Sequence, residues 1–188
     1  WARYADKAGG LKAAGLLDRC AATKTCPKIV EAFGSAEFWG LRMSPDLIGT
    51  DATRDIPLPS NVRRYYYPST THGGGRGGFP VEATAAANSS CTLPSNPNPQ
   101  AEQTRALTRA LVDWVAKGTP PPPSRYPTLA NGDLVPATRA ALGMPDVPGL
   151  PFSDRLLNPV LHYDFGRGFR ATDLSGVMTR VPPRIIGV

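Results

Sequence analysis

The stretch VRRYYYPSTTHGGGRGG, residues 62–78, decides how the rest of the sequence is interpreted. Its first part is a β-branched and aromatic run that is typical of a strand, which Pro68 and the glycines end. Five of the six residues after His72 are glycine. Such a loop can cradle a phosphate, form an oxyanion hole, or present a catalytic histidine.

The surroundings of the loop argue against a phosphate. Gly73, Gly75 and Gly78 match G-x-G-x-x-G, but that fingerprint requires a helix to open at its end, and Phe79-Pro80 interrupts there. No acidic residue follows at the expected offset, and no G-K-[ST] occurs.

The surroundings also argue against an oxyanion hole. An HGGG loop with that role precedes a G-x-S-x-G nucleophile motif in esterases. Six serines follow His72, and none of them lies in that motif. The third possibility, in which the loop presents His72 as a catalytic group, is therefore the one that the sequence favours.

A histidine just past a strand end can take a proton from a nucleophile and pass it to a leaving group. An acid must then hold its other ring nitrogen, and in α/β hydrolases that acid follows the preceding strand. Glu37, in FGSAEFW, lies just beyond the short apolar run 28–34, which is predicted to be a strand. Three further carboxylates fall in the intervening loop, where they could serve structurally: Asp46, Asp51 and Asp55.

Two helices are predicted around these strands. Residues 5–20 form the first, because Leu11, Ala14 and Leu17 recur at three-residue spacing, although glycines weaken it. The second runs between an Asn98 cap and a Gly118 stop, with Pro99 at its first helical position. It carries one apolar stripe: Leu107, Ala110, Leu111, Trp114 and Val115.

The order of elements predicts an α/β fold. Two strands do not make a stable sheet, so further strands are expected upstream of Trp1 or in another chain. Residues 1–118 are predicted to be the C-terminal part of an α/β domain. Residues 119–188, which open with a stiff proline linker and continue with an Asn-Gly hairpin over 126–135, are expected to wrap that domain.

Composition excludes several classes. The net charge of +6 is scattered, whereas nucleic-acid binding requires basic residues clustered on one face. No apolar run approaches the roughly 18 residues of a membrane helix. The start at Trp1 and the end in PPRIIGV suggest a processed or partial product of a longer protein.

The cysteines favour a disulfide over a metal site. Cys20 and Cys26, in CAATKTC, lack the second Cys/His pair of a structural zinc site. A disulfide between them would indicate an exported protein. Cys91 is left over, either free or paired with a missing part.

Three ordered motifs give the chain a family resemblance. CAATKTCPKIVEAFGSAEFWG, GTDATRDIPLPSNVRRYYYPSTTHGG and NPQAEQTRALTRALVDWVAKGTPPPPSRYPTLANGDLV together resemble the C-terminal half of bacterial exported α/β-hydrolase-domain proteins, which are serine esterase-like. The resemblance covers about residues 15–135. It implies that Glu37 is the acid of a catalytic triad, that His72 is its base, and that Cys20 and Cys26 form a disulfide.

The expected function follows from that resemblance. The chain is expected to be part of a secreted or periplasmic hydrolase of carboxylic esters, whose nucleophilic serine and oxyanion hole lie in the N-terminal remainder of the protein. Neither a metal nor a cofactor is expected. Five residues are expected to line the substrate site: Ser35, Phe38, Trp39, Gly73 and Gly74. The competing interpretations are a non-catalytic binding module and an inactive hydrolase-fold scaffold.

Overall fold

The structure is a computed structural model that describes residues 1–5, 11–78, 96–149, 151–152, 159–170 and 176–187. Its elements in chain order are α1 (Asp18–Thr23), β1 (Ile29–Gly34), α2 (Ser35–Gly40), α3 (Ser44–Ile48), β2 (Val62–Tyr67), α4 (Ala101–Lys117), β3 (Val160–His162) and β4 (Arg184–Gly187). Among the described residues, no helix is long and apolar enough to cross a membrane.

The chain divides into two compact units. The first unit comprises Trp1–Lys24, Ser44–Pro57 and Thr128–Val188, and the second comprises Thr25–Met43 and Leu58–Pro127. The predicted division into residues 1–118 and 119–188 stays a prediction.

A parallel pair of strands forms the centre of the second unit. β1 and β2 lie where the sequence predicts strands, and they pair from Ile29 beside Val62 to Gly34 beside Tyr67. Phe33 of β1 and Val62 and Tyr65 of β2 are buried. Because the strands run parallel, the residues that follow them lie together at the carboxyl end of the strand pair.

The proline linker after α4 lies along the outer edge of β2. Tyr66 donates its backbone N–H to the carbonyl of Arg125 at 2.8 Å, and Arg125 donates its own to the carbonyl of Arg64 at 2.8 Å. The Tyr65 hydroxyl donates to the Pro122 carbonyl at 2.6 Å. On its other side β2 pairs with β1, and among the described residues β1 has no second strand neighbour.

A buried ion pair fastens the two strands. The Arg64 side chain is fully buried, and its Nε lies 2.6 Å from Glu31 Oε2. Its guanidinium also stacks over Tyr126, 5.2 Å from the ring centroid. Removing one partner of such a pair leaves an uncompensated buried charge, so the pair holds the strands in one arrangement.

Helix α4 packs on β1 through Trp114. Lys28 Nζ and Arg63 Cζ lie 4.8 and 5.1 Å from its ring centroid. The predicted stop at Gly118 is confirmed, with φ of 74°. The predicted cap is wrong, because α4 begins after Gln100 without a side-chain cap and the Asn98 amide binds elsewhere.

The apolar stripe of α4 is only partly a core face. Of the five residues that form it in sequence, Trp114 is the buried one, at 5% exposure. The next stripe residue, Val115, is 67% exposed. Periodicity therefore identified the correct helix but not the depth to which each position is buried.

The first unit has short elements. The predicted helix over 5–20 is wrong for the described residues before Asp18, since α1 begins there and Ala14 instead forms an antiparallel bridge with Tyr4. Two hydrogen bonds make that bridge, at 2.9 and 3.0 Å. Three-residue spacing without a buried face, interrupted by glycines, does not hold a helix.

The predicted Asn-Gly turn forms, but without the hairpin. Gly132, with φ of 72°, donates its N–H to the Leu129 carbonyl at 2.9 Å. No described strand flanks the turn, and the Asp55 carboxylate accepts the N–H groups of Leu129 and Ala130 at 2.8 and 3.0 Å. Asp55 therefore has the structural role that its loop position suggested.

Cys20 and Cys26 form a disulfide, as expected. The leftover Cys91 lies outside the described residues. The remaining short elements of the first unit are α3, which buries Leu47 and Ile48, and the antiparallel pair of β3 and β4.

Adjacent residues of α4 test the burial pattern. Trp114→Ala should lower the free energy of unfolding by about 3–5 kcal/mol, because it removes a buried ring and leaves a cavity. Val115→Ala, one residue further along the same helix, should change it by less than about 0.5 kcal/mol. Urea unfolding of both variants measures the difference, and equal losses would contradict the described packing of α4.

Candidate active site

The ends of the two parallel strands bring Glu37 and His72 together. Helix α2 begins directly after β1, so that Glu37 is its third residue. After β2 the chain enters a turn in which Gly74 donates its N–H to the Thr71 carbonyl at 2.9 Å. His72 is the second residue of that turn, and Gly73 follows with φ of 83°, which favours glycine.

A hydrogen bond joins His72 Nδ1 to Glu37 Oε1. The second carboxylate oxygen, Oε2, accepts the backbone N–H of Gly34 at 2.7 Å. Both oxygens of Glu37 are thus used, and its side chain is 17% exposed, whereas that of His72 is 79% exposed. The carboxylate is fixed by the protein, and the imidazole faces outward from it.

The electrostatics of Glu37 determine which ring nitrogen carries a proton. Partial burial raises the pKa of Glu37, but hydrogen bonds from His72 and from the Gly34 N–H outweigh it and hold the pKa below its usual value. An ionised carboxylate can only accept, so Nδ1 donates. In the neutral imidazole, Nε2 then carries a lone pair, and it has no hydrogen-bond partner among the described residues.

Close backbone contact holds the two strand ends side by side. Ala36 donates its N–H to the Thr70 carbonyl at 3.2 Å, and the buried Thr70 hydroxyl donates to the Tyr67 carbonyl at 2.9 Å. A Cβ at Gly34 would overlap Thr70 Oγ1 and lie 3.0 Å from Glu37 Oε2. Position 34 therefore requires a glycine, because Thr70 and Glu37 lie where a Cβ would be.

Ser35 joins the start of α2 to the loop after β2. Its Oγ accepts the backbone N–H of Ser69 at 2.7 Å and lies 2.7 Å from the Tyr66 hydroxyl. Ser69 has the left-handed φ of 57°, which is uncommon for a residue other than glycine. Local contacts therefore hold this residue in a conformation that it rarely adopts.

The glycine loop packs against residues 96–100. A Cβ at Gly74 would lie 2.7 Å from Gln100 Cγ, and one at Gly75 would overlap the backbone of Asn96 and Pro97. Gly75 and Gly77 donate their N–H groups to the carbonyls of Asn98 and Pro97 at 2.7 and 2.8 Å. These amides are used inside the protein, which agrees with the sequence argument against a phosphate cradle or an oxyanion hole here.

Two asparagines that sequence analysis did not assign to the site hold the same loop. Asn96 Nδ2 donates to the Ser69 carbonyl at 2.6 Å. Asn98 Nδ2 donates to the carbonyls of Pro68 and Ser69 at 3.0 and 3.1 Å. A signal was present in the alternation NPNP, because the prolines lack a backbone N–H and the asparagine side-chain amides add donors to the segment.

Aromatic side chains continue the site along α2. Phe38 makes edge contacts with Trp39 and Tyr66, at ring-centroid distances of 6.0 and 6.3 Å. Trp39 is 42% exposed, and open space surrounds the Cβ direction of Gly73. The expected substrate-lining roles of Ser35, Phe38, Trp39, Gly73 and Gly74 stay predictions.

Comparison with known proteins identifies one family. The sequence model described as "Alpha/beta hydrolase domain" matches residues 3–148 of the chain. That range contains both strands of the parallel pair, Glu37 and His72. Neither a curated protein nor a solved structure shows significant similarity to the chain.

The close approach at Gly34 can be tested with a matched pair of glycines. Gly34→Ala should destabilise the protein by about 1–3 kcal/mol, since its Cβ meets Thr70 and Glu37. Gly40→Ala, at the other end of α2, meets no atom within 4 Å and should be neutral or slightly stabilising. Thermal unfolding compares the two, and an equally tolerated Gly34→Ala would refute the described contact.

The lowered pKa of Glu37 makes its contribution to stability depend on pH. An acid whose pKa is lowered on folding stabilises the native state above its unfolded-state pKa, here near 4.5, and loses that contribution as pH falls through the folded pKa. The difference in unfolding free energy between the wild type and Glu37→Gln should therefore be largest above about pH 5 and shrink toward pH 3. Urea titrations across this range measure it, and a constant difference would contradict the argument.

Proposed function

The chain belongs to the alpha/beta hydrolase domain family, whose members are generally hydrolytic, and from this premise we propose that it is part of a serine hydrolase of carboxylic esters. In this proposal the triad is Ser-His-Glu, with His72 as base, Glu37 as acid, and the serine outside these 188 residues. The observation that supports it is the hydrogen bond between His72 Nδ1 and Glu37 Oε1 at the shared end of two parallel strands.

The two nitrogens of His72 have different roles in this chemistry: Nε2 transfers the protons, and Nδ1–H stays bonded to Glu37. Nε2 takes the hydroxyl proton of the serine as the serine oxygen attacks the ester carbonyl carbon, and a tetrahedral intermediate forms. The resulting imidazolium keeps its Nδ1–H on Glu37, whose negative charge stabilises it. Nε2–H then protonates the departing alcohol oxygen, and an acyl-enzyme remains. Water, deprotonated by Nε2 in turn, attacks the acyl carbon and forms a second tetrahedral intermediate. As this intermediate collapses, Nε2–H returns its proton to the serine oxygen and the carboxylic acid leaves.

The nucleophile is proposed to lie elsewhere because no serine of this chain occupies a G-x-S-x-G motif. The sheet supports the same arrangement. Parallel strands occur almost only in sheets that are covered on both faces, and a two-stranded sheet is marginal alone. We therefore propose that this segment is the C-terminal portion of the fold. The N-terminal remainder, continuous or as a cleaved chain, adds strands beside β1 and supplies the serine.

The exposed face beside the Glu37–His72 pair is proposed to receive the ester. Trp39 offers the most exposed aromatic surface of α2, and Gly73 leaves room next to the imidazole. Phe38 packs between Trp39 and Tyr66, so it supports this wall from behind.

Export is proposed from the disulfide. Disulfides persist in oxidising compartments and are rare in the reducing cytosol of most cells. The bond between Cys20 and Cys26 therefore favours a secreted or periplasmic protein, which in the bacterial family that the sequence resembles would be an exported enzyme.

Variants of the pair test the assignment, with the second histidine of the chain as control. In the full-length protein, His72→Ala and Glu37→Gln should each lower kcat for p-nitrophenyl acetate by at least about 10³-fold, with folding retained. His162→Ala should leave kcat essentially unchanged, because His162 lies in β3 and contacts Arg184.

Two results would overturn the proposal. Wild-type kcat in His72→Ala would contradict a histidine base. Absence of turnover in the folded wild type would favour a binding module or an inactive scaffold, since neither has turnover to lose.

A further inference from the structure

Three groups of α2 bind the chain that follows β2: the Ser35 hydroxyl, the Ala36 N–H and the Glu37 carboxylate. Glu37 is fixed on α2, whereas His72 lies in a turn. Because the His72 side chain is 79% exposed, packing alone does not orient the imidazole. The distance between the two strand ends sets where His72 lies relative to Glu37. A group that bridges the two strand ends therefore determines how His72 is placed relative to Glu37.

Ser35 spans them. It is the first residue of α2, two residues before Glu37, and its Oγ accepts the backbone N–H of Ser69 at 2.7 Å, three residues before His72. The same oxygen lies 2.7 Å from the hydroxyl of Tyr66, in β2. A serine hydroxyl has one proton and two lone pairs, so these two bonds use most of its capacity.

The conformation of Ser69 indicates that its hydrogen bond to Ser35 Oγ helps to shape the loop. Ser69 has φ of 57°, and both of its backbone polar groups are bound, the N–H by Ser35 and the carbonyl by Asn96 and Asn98. Uncommon backbone conformations persist only where the surroundings determine them. Loss of the Ser35 hydroxyl would leave the Ser69 N–H without this acceptor and would free the first turn of the loop.

We propose that Ser35 is a positioning residue, whose hydroxyl ties the loop of His72 to the helix of Glu37 and so keeps the imidazole in its Nδ1–H form. It acts through Ser69 and Tyr66 and does not contact the ester. The inference rests on the proposed function only for its kinetic readout, because the pairing of Glu37 with His72 can be observed without turnover.

Ser35→Ala in the full-length protein tests this with two measurements. The nitrogen NMR shifts of the His72 ring, assigned with His72→Gln, report which nitrogen carries the proton. They should move from the Nδ1–H form toward the mixture of a free imidazole, in the same direction as in Glu37→Gln. With p-nitrophenyl acetate, kcat should fall by about 10- to 100-fold while KM stays close to wild type.

Two further variants complete the experiment. Thr108→Ala is the matched hydroxyl deletion, because Thr108 Oγ1 donates to the Thr104 carbonyl at 2.8 Å within α4, and it should change neither readout. Tyr66→Phe removes one of the two partners of Ser35 and should give a smaller change of the same kind. It also decides the question if Ser35→Ala does not fold.

Each outcome decides between alternatives. Unchanged His72 shifts and unchanged kcat in Ser35→Ala, or in Tyr66→Phe where only that variant folds, would overturn the proposal. A raised KM with unchanged shifts would also overturn it and would make Ser35 a substrate contact. Altered shifts in a protein whose wild type has no turnover would support the positioning of His72 while the proposed hydrolase function fails.

Discussion

The parallel register of β1 and β2 is the constraint on which the site depends. It sets Gly34 level with Tyr67, so the chain leaves both strands at one edge. Because Gly34 has no side chain, the Thr70 hydroxyl fits against it, and Ala36 and Thr70 can form a backbone hydrogen bond. Glu37 directly follows Ala36, and His72 lies two residues after Thr70.

The glycines of the loop after His72 are explained by residues 96–100, which pack against them. Gly73 supplies a positive φ inside the turn that carries His72, while Gly74 and Gly75 make room for residues 96–100. That segment returns hydrogen bonds to the same loop through Asn96 and Asn98. The glycines thus serve the placement of a histidine by close backbone packing, and the loop amides that bind these residues are not directed at a ligand.

The amount that sequence could predict differs between strands and helices for physical reasons. β1 and β2 are short β-branched and aromatic runs with clear terminators, so their bounds and the meeting of Glu37 with His72 could be anticipated. The helix over 5–20 could not be judged from spacing, because a helix of that length depends on a buried face.

Side-chain hydrogen bonds were the hardest part to predict. Asn98 has the residue type of a helix cap but lies two residues before the cap position, Gln100, and its amide binds loop carbonyls thirty and twenty-nine residues away in sequence. The substrate-facing role expected for Ser35 stays a prediction, whereas the hydrogen bonds by which its hydroxyl spans α2 and the loop after β2 were not anticipated. Such choices depend on which backbone groups the tertiary fold leaves without partners, and local sequence does not contain that information.

The central claim is that Glu37 and His72 are the acid and the base for a serine that lies outside these residues. Fluorophosphonate labelling of the full-length protein, followed by peptide mapping of the adduct, tests it most directly. We expect one labelled serine in the N-terminal remainder, in a G-x-S-x-G motif. An adduct on any serine of the 188 residues, or no adduct on the folded protein, would contradict it.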